Sequence, residues 1–113
     1  MAIGGYELKK RMEAGLEEPS QNARADLGQR LSVDADSIDV VQAEAVMWRN
    51  SGLGCPEPDM RYKDVLTPGV LIRLRSGGQV YEYHGGRGST PFLCESAERI
   101  QEPLPRGSYD DGT

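Results

Sequence analysis

The chain has 113 residues, with 18 acidic against 13 basic side chains and a formal net charge of −5. That length fits one domain with a modest core, and the charge excludes a molecule-wide field that attracts phosphate backbones. No apolar stretch approaches the ~20 residues of a membrane-spanning helix.

The first residues, Met1-Ala2-Ile3-Gly4-Gly5, lack the apolar run of a signal peptide, so the chain as written reads as cytoplasmic, or as periplasmic or extracellular if a leader was removed. The dense basic run Lys9-Lys10-Arg11 is surrounded by Glu7, Glu13, Glu17 and Glu18, the mark of a solvated face, and nucleic acid is not an expected partner. Residues 1–19 read as a polar lead-in, frayed or disordered, with at most two helical turns over 7–14. Ser20 is placed to cap a helix from 21 to about 31, whose apolar stripe is Ala23, Leu27 and Leu31.

Residues 38–48 alternate as a strand does. Val41, Ala43, Ala45 and Met47 form a wholly apolar face, the expected inner one; Trp48 falls on the mixed face with Val40, Gln42, Glu44 and Val46. Residues 49–69 carry three prolines and three glycines, which exclude a long regular element. An irregular segment of that length in a small domain is more often functional than not. Within it Tyr62, Val65 and Leu66 are expected to reach inward.

Residues 70–84 read as two strands joined at Gly77-Gly78. Pairing through that turn sets Leu74 opposite Tyr81, Arg73 opposite Glu82, Ile72 opposite Tyr83 and Leu71 opposite His84. Leu74, Tyr81, Ile72 and Tyr83 then share an apolar face, and a slip of one residue would scramble it. Gly85-Gly86-Arg87-Gly88 lacks the Gly-Lys-Ser/Thr ending of a phosphate loop and reads as a mobile turn. A short last strand is expected over 90–94, a brief helix capped by Ser96 runs to 100, and 102–113 reads as a disordered tail. The fold class is therefore α+β: one main N-terminal helix packed on a three- or four-stranded antiparallel sheet, in a single domain over 20–101.

Cys55 and Cys94 read as a disulfide in an oxidising compartment, and as buried or reactive thiols in a reducing one. The segment from Asp26-Leu27 and Arg30-Leu31 through Ile38-Asp39-Val40-Val41, Trp48, Leu53-Gly54-Cys55-Pro56 with Pro58, Thr67-Pro68-Gly69 and Tyr81-Glu82-Tyr83-His84 to Cys94 resembles a small bacterial domain. That domain is found in hypothetical proteins and lipoproteins, covers about two-thirds of the chain, and carries no assigned function. Many of its relatives look exported, and the resemblance therefore implies a Cys55–Cys94 disulfide.

Three chemistries deserve weighing against structural roles. His84, the one histidine, would need a partner to act as a general base, and Glu82 or a thiol could supply it. Cys55, Cys94 and His84 with Glu95 would make a zinc set, but the close cysteine spacing of zinc sites is missing, and no metal or cofactor is expected. The segment 52–64 is the strongest candidate: a stiff exposed loop carrying Leu53, Cys55, Pro56, Glu57, Pro58, Met60 and Tyr62, fit to meet a protein or peptide partner at low ordering cost. The expected function is a small non-catalytic binding or accessory module, with protease inhibition as its concrete form. The alternatives are a small enzyme using His84 and a purely structural domain of a larger assembly.

Overall fold

The computed structural model of the protein describes residues 11–12 and 15–106. Along the chain run β1 (Arg11–Met12), α1 (Glu17–Leu31), β2 (Asp39–Trp48), β3 (Thr67–Ser76), β4 (Gln79–Gly86) and β5 (Phe92–Leu93). Spatial order follows chain order, and β2 to β5 pair antiparallel. The arrangement is α+β, one helix on a four-stranded antiparallel sheet, with β1 adding a two-residue parallel strip beside Gln42 and Ala43.

The β3–β4 hairpin has the register that its side chains dictate. Leu74 lies opposite Tyr81, Ile72 opposite Tyr83, Arg73 opposite Glu82 and Leu71 opposite His84. Gly77 and Gly78 turn the chain with φ of 61° and 81°, as a two-residue hairpin turn demands. On the helix side, Ala23 and Leu27 pack with Ile38, Ala43, Val70, Ile72, Leu74 and Tyr83 into the main core.

α1 begins a turn before the expected start. Pro19 sits in its first turn, where a missing N–H costs nothing because that N–H has no intrahelical acceptor. Ser20 is thus inside the helix rather than its cap, with its hydroxyl buried and unpartnered. Asp26 on α1 accepts hydrogen bonds from the Tyr83 hydroxyl and from Arg30 Nε, each at 2.6 Å, which ties the helix to β4. Of the two helical turns expected over 7–14, Arg11–Met12 form β1 instead, and the others lie outside the described residues.

β2 departs from simple alternation. Its register with β3 shifts between Val40 and Gln42, a β-bulge that inserts one residue. Val40 rather than Val41 therefore packs against the main core, together with Ala43, while Ala45 lies exposed. Trp48, on the opposite face, is fully buried. The sheet has a second covered face, and the irregular segment after Trp48 is what covers it.

Residues 101–106 are not a loose tail. Gln101 N–H donates to the Gly54 carbonyl at 2.8 Å and Leu104 N–H to the Met47 carbonyl at 2.9 Å. Arg106 reaches the Ala45 carbonyl and pairs with Glu44. With β1 at Gln42 and Ala43, these contacts blunt the outer edge of β2 against pairing with other chains. The rest of the expected tail, 107–113, lies outside the described residues. Ser96 precedes a single turn of 3-10 helix at Ala97–Arg99 without capping it through its side chain.

Candidate functional site

The second face of the sheet is built around His84. Alternation along β4 sends Tyr83 to the helix side and Glu82 and His84 to the other. His84 is wholly buried. Its Nδ1 donates to the Leu53 carbonyl at 2.7 Å, and its Nε2 lies 2.8 Å from Glu82 Oε1 in a second hydrogen bond. Both ring nitrogens thus have an oxygen within hydrogen-bond distance. Trp48 stacks over the ring, centroids 4.5 Å apart, and donates through Nε1 to the Gly85 carbonyl at 3.0 Å.

Glu82 in turn accepts from Arg73 Nε at 2.8 Å, and Arg73 Nη1 donates to Gln42 Oε1 at 2.7 Å. Burial pushes the Glu82 carboxyl up, but the hydrogen bonds from His84 and Arg73 and the Arg73 charge outweigh it and hold the carboxyl below its ordinary 4.5. Burial likewise pushes Asp26 up, and its bonds from Tyr83 and Arg30 hold it below 3.8. Burial and the Asp26 carboxylate push the Tyr83 phenol upward.

Two glycines make room for this cluster. A Cβ on Gly54 would stand 2.4 Å from Trp48 Cζ3, and one on Gly69 would stand 2.1 Å from the Gly85 carbonyl and 2.6 Å from Trp48 Nε1. Neither position admits a side chain. Leu53 adopts φ of 57°, a left-handed conformation that costs a leucine energy, and it places the carbonyl that His84 uses. The Leu-Gly-Cys-Pro stretch is therefore one device: a strained carbonyl for His84, a flat residue under Trp48, and a sulfur for the crosslink.

Cys55 and Cys94 form a disulfide, their Cα atoms 5.9 Å apart. The crosslink fixes one end of the 52–64 loop to the residue after β5. Beyond it, Glu57 N–H donates to the Tyr62 hydroxyl at 2.9 Å, Met60 N–H to the Glu57 carbonyl at 3.2 Å. Lys63 N–H donates to Ser51 Oγ at 2.8 Å, while Ser51 N–H donates to the Lys63 carbonyl at 3.0 Å. Between these ties, Glu57, Pro58, Asp59, Met60 and Arg61 are exposed in unbroken succession.

The expected loop residues thus divide. Cys55 is buried, Leu53, Pro56 and Tyr62 are half-buried anchors, and Glu57, Pro58 and Met60 are presented to solvent. Tyr62 reaches inward as expected, but Val65 and Leu66 do not; they are 54% and 51% exposed. The disulfide already anchors the segment and Thr67 Oγ1 bonds the Val65 carbonyl, so neither side chain is needed to hold it down. His84 and Glu82 do meet, yet under Trp48 rather than at a surface. The zinc set loses its thiolates, because the sulfurs of Cys55 and Cys94 are bonded to each other. Sequence reasoning missed the part played by Trp48 and by residues 101–104. No sequence signal marks them, because Trp48 meets Gly69 only once β2 and β3 are in register.

A helix strapped to a hairpin, with a disulfide-braced loop on the sheet's far face, defines a small crosslinked α+β domain. The chain belongs to DUF8738, a domain of unknown function, whose family model matches residues 20–94. No curated protein and no solved structure matches it. Among the described residues, no helix is long and apolar enough to cross a membrane.

Proposed function

We propose that this domain is a non-catalytic binding module that presents the 52–64 loop to a protein partner, in concrete form as a protease inhibitor. The observation that carries the reading is the unbroken exposed run from Glu57 to Arg61, held between the Cys55–Cys94 disulfide and the ties to Tyr62 and Ser51. Such a loop loses little conformational freedom on binding, so its contacts convert efficiently into affinity. Met60, 59% exposed, supplies apolar contact at its crest.

The disulfide fits an oxidising compartment, periplasmic or extracellular, where inhibitors of secreted proteases work. The enzyme reading is weaker, because His84 is wholly buried, both of its ring nitrogens are occupied, and neither cysteine offers a thiol. A purely structural role would not require a braced, solvent-facing loop.

The test is a panel of serine and cysteine proteases assayed with the oxidised protein. Inhibition of at least one enzyme, lost when 57–61 is replaced by a Gly/Ser stretch of equal length, is the expected result. Full activity of every enzyme in the presence of excess protein contradicts the inhibitor form.

A further inference from the structure

Within the loop, the residues differ in what they leave free. Met60 commits its N–H to the Glu57 carbonyl, and Lys63 commits both its N–H and its carbonyl to Ser51. Tyr62 is turned inward, half-buried, with its hydroxyl bonded to the Glu57 N–H. Asp59 and Arg61 leave more free, but Asp59 lies inside the turn that the Met60–Glu57 bond closes, whereas Arg61 lies beyond it. The Arg61 side chain is exposed, and among the described residues it has no ion-pair partner and neither its N–H nor its carbonyl is hydrogen-bonded. Glu57, by contrast, has Arg99 at 3.7 Å.

A protease reads an extended segment through both backbone hydrogen bonds and one side chain lodged in a pocket beside the scissile carbonyl. Arg61 offers the backbone donor, the backbone acceptor and the side chain together, one residue from the Tyr62 anchor that fixes their direction. A guanidinium fits a pocket with a carboxylate at its base, and it rejects an apolar slot, where the charge would be buried unpaired.

We propose that the partner of this loop is a trypsin-like serine protease and that Arg61 fills its acidic primary pocket. The inference rests on the binding reading above and adds the enzyme class and the residue that selects it. Met60 and Tyr62 then lie on either side of the inserted residue, and the crosslink at Cys55 keeps the segment from collapsing when the enzyme closes on it.

The experiment compares trypsin with chymotrypsin and papain, using the oxidised full chain and its Arg61→Ala, Arg61→Lys and Met60→Ala variants. Since Arg61 is exposed and unbonded, matching thermal melts establish that each variant is folded. Expected are competitive inhibition of trypsin alone, a loss of at least about thirty-fold in Arg61→Ala, and retention within about ten-fold in Arg61→Lys, as a dominant anchor residue requires. Inhibition of chymotrypsin or papain but not trypsin overturns the assignment to Arg61 and leaves the binding loop standing. So does trypsin inhibition unchanged in Arg61→Ala. Rapid cleavage after Arg61, or no inhibition of any enzyme, overturns both.

Discussion

Trp48 lies on His84 with the ring planes inclined by only 25°, so the last residue of β2 roofs a residue of β4 across the intervening strand. This stack makes the far face of the sheet a second core. It explains why a polar cluster of Arg73, Glu82 and His84 sits where a solvated face is expected, and why the loop after Trp48 is irregular yet fixed.

Removing the roof should be costly. Trp48→Ala deletes a fully buried indole and its hydrogen bond to the Gly85 carbonyl, and is expected to lower unfolding stability by about 3–5 kcal/mol. Urea denaturation followed by circular dichroism measures this. A loss below about 1 kcal/mol, the size of a surface substitution, would show that the stack carries little.

His84 is expected to act on stability and not on turnover. His84→Ala leaves the Leu53 carbonyl without its donor and opens space beneath Trp48, for a loss of about 2–3 kcal/mol. Denaturation of the variant and of Leu53→Gly, which relaxes the left-handed backbone at that residue, reads the two halves of the contact separately. A His84→Ala protein as stable as the parent would contradict the assignment.

The dependence on pH follows from three groups. Glu82 and Asp26 titrate lower in the fold than their ordinary 4.5 and 3.8, so the stability they contribute is fully present above about pH 4.5 and is lost as pH falls through the folded values. Tyr83 titrates higher than its ordinary 10.0, so its contribution is present below pH 10 and declines as pH rises beyond it. Thermal melts from acid to alkaline pH should show a plateau with both limbs. Glu82→Gln should flatten the acid limb and Tyr83→Phe the alkaline one, and unchanged limbs would contradict these assignments.

Much of this fold is legible in the sequence because it rests on local rules. The Gly77-Gly78 turn and the alternation around it fix the hairpin register, and Ala23 and Leu27 mark the helix face. The contact between Asp26 and Tyr83 is not legible, since it joins residues 57 apart in sequence. Nor is the bulge at Val40–Gln42, which moves Val40 into the place that strict alternation gives to Val41. At the site, the loop bounds and its cysteine anchor follow from glycine, proline and cysteine positions. The burial of His84 does not, because it depends on Trp48 crossing over Gly69, a steric allowance that only coordinates display.

The disulfide should stabilise substantially. Closing a loop between residues 39 apart contributes about 3–4 kcal/mol in the chain-entropy treatment. The Cys55→Ala/Cys94→Ala protein is expected to lose that amount in urea denaturation and to be cleaved first within 57–66 under limited proteolysis. Cleavage elsewhere with the loop intact would show that hydrogen bonds alone hold the segment.

The braced loop stands or falls with its crosslink, so the most direct measurement is a count of titratable thiols in the denatured chain before and after reduction. The account predicts none before reduction and both cysteines, Cys55 and Cys94, afterwards. Full reactivity of both before reduction, in protein purified without reductant from an oxidising compartment, would contradict it.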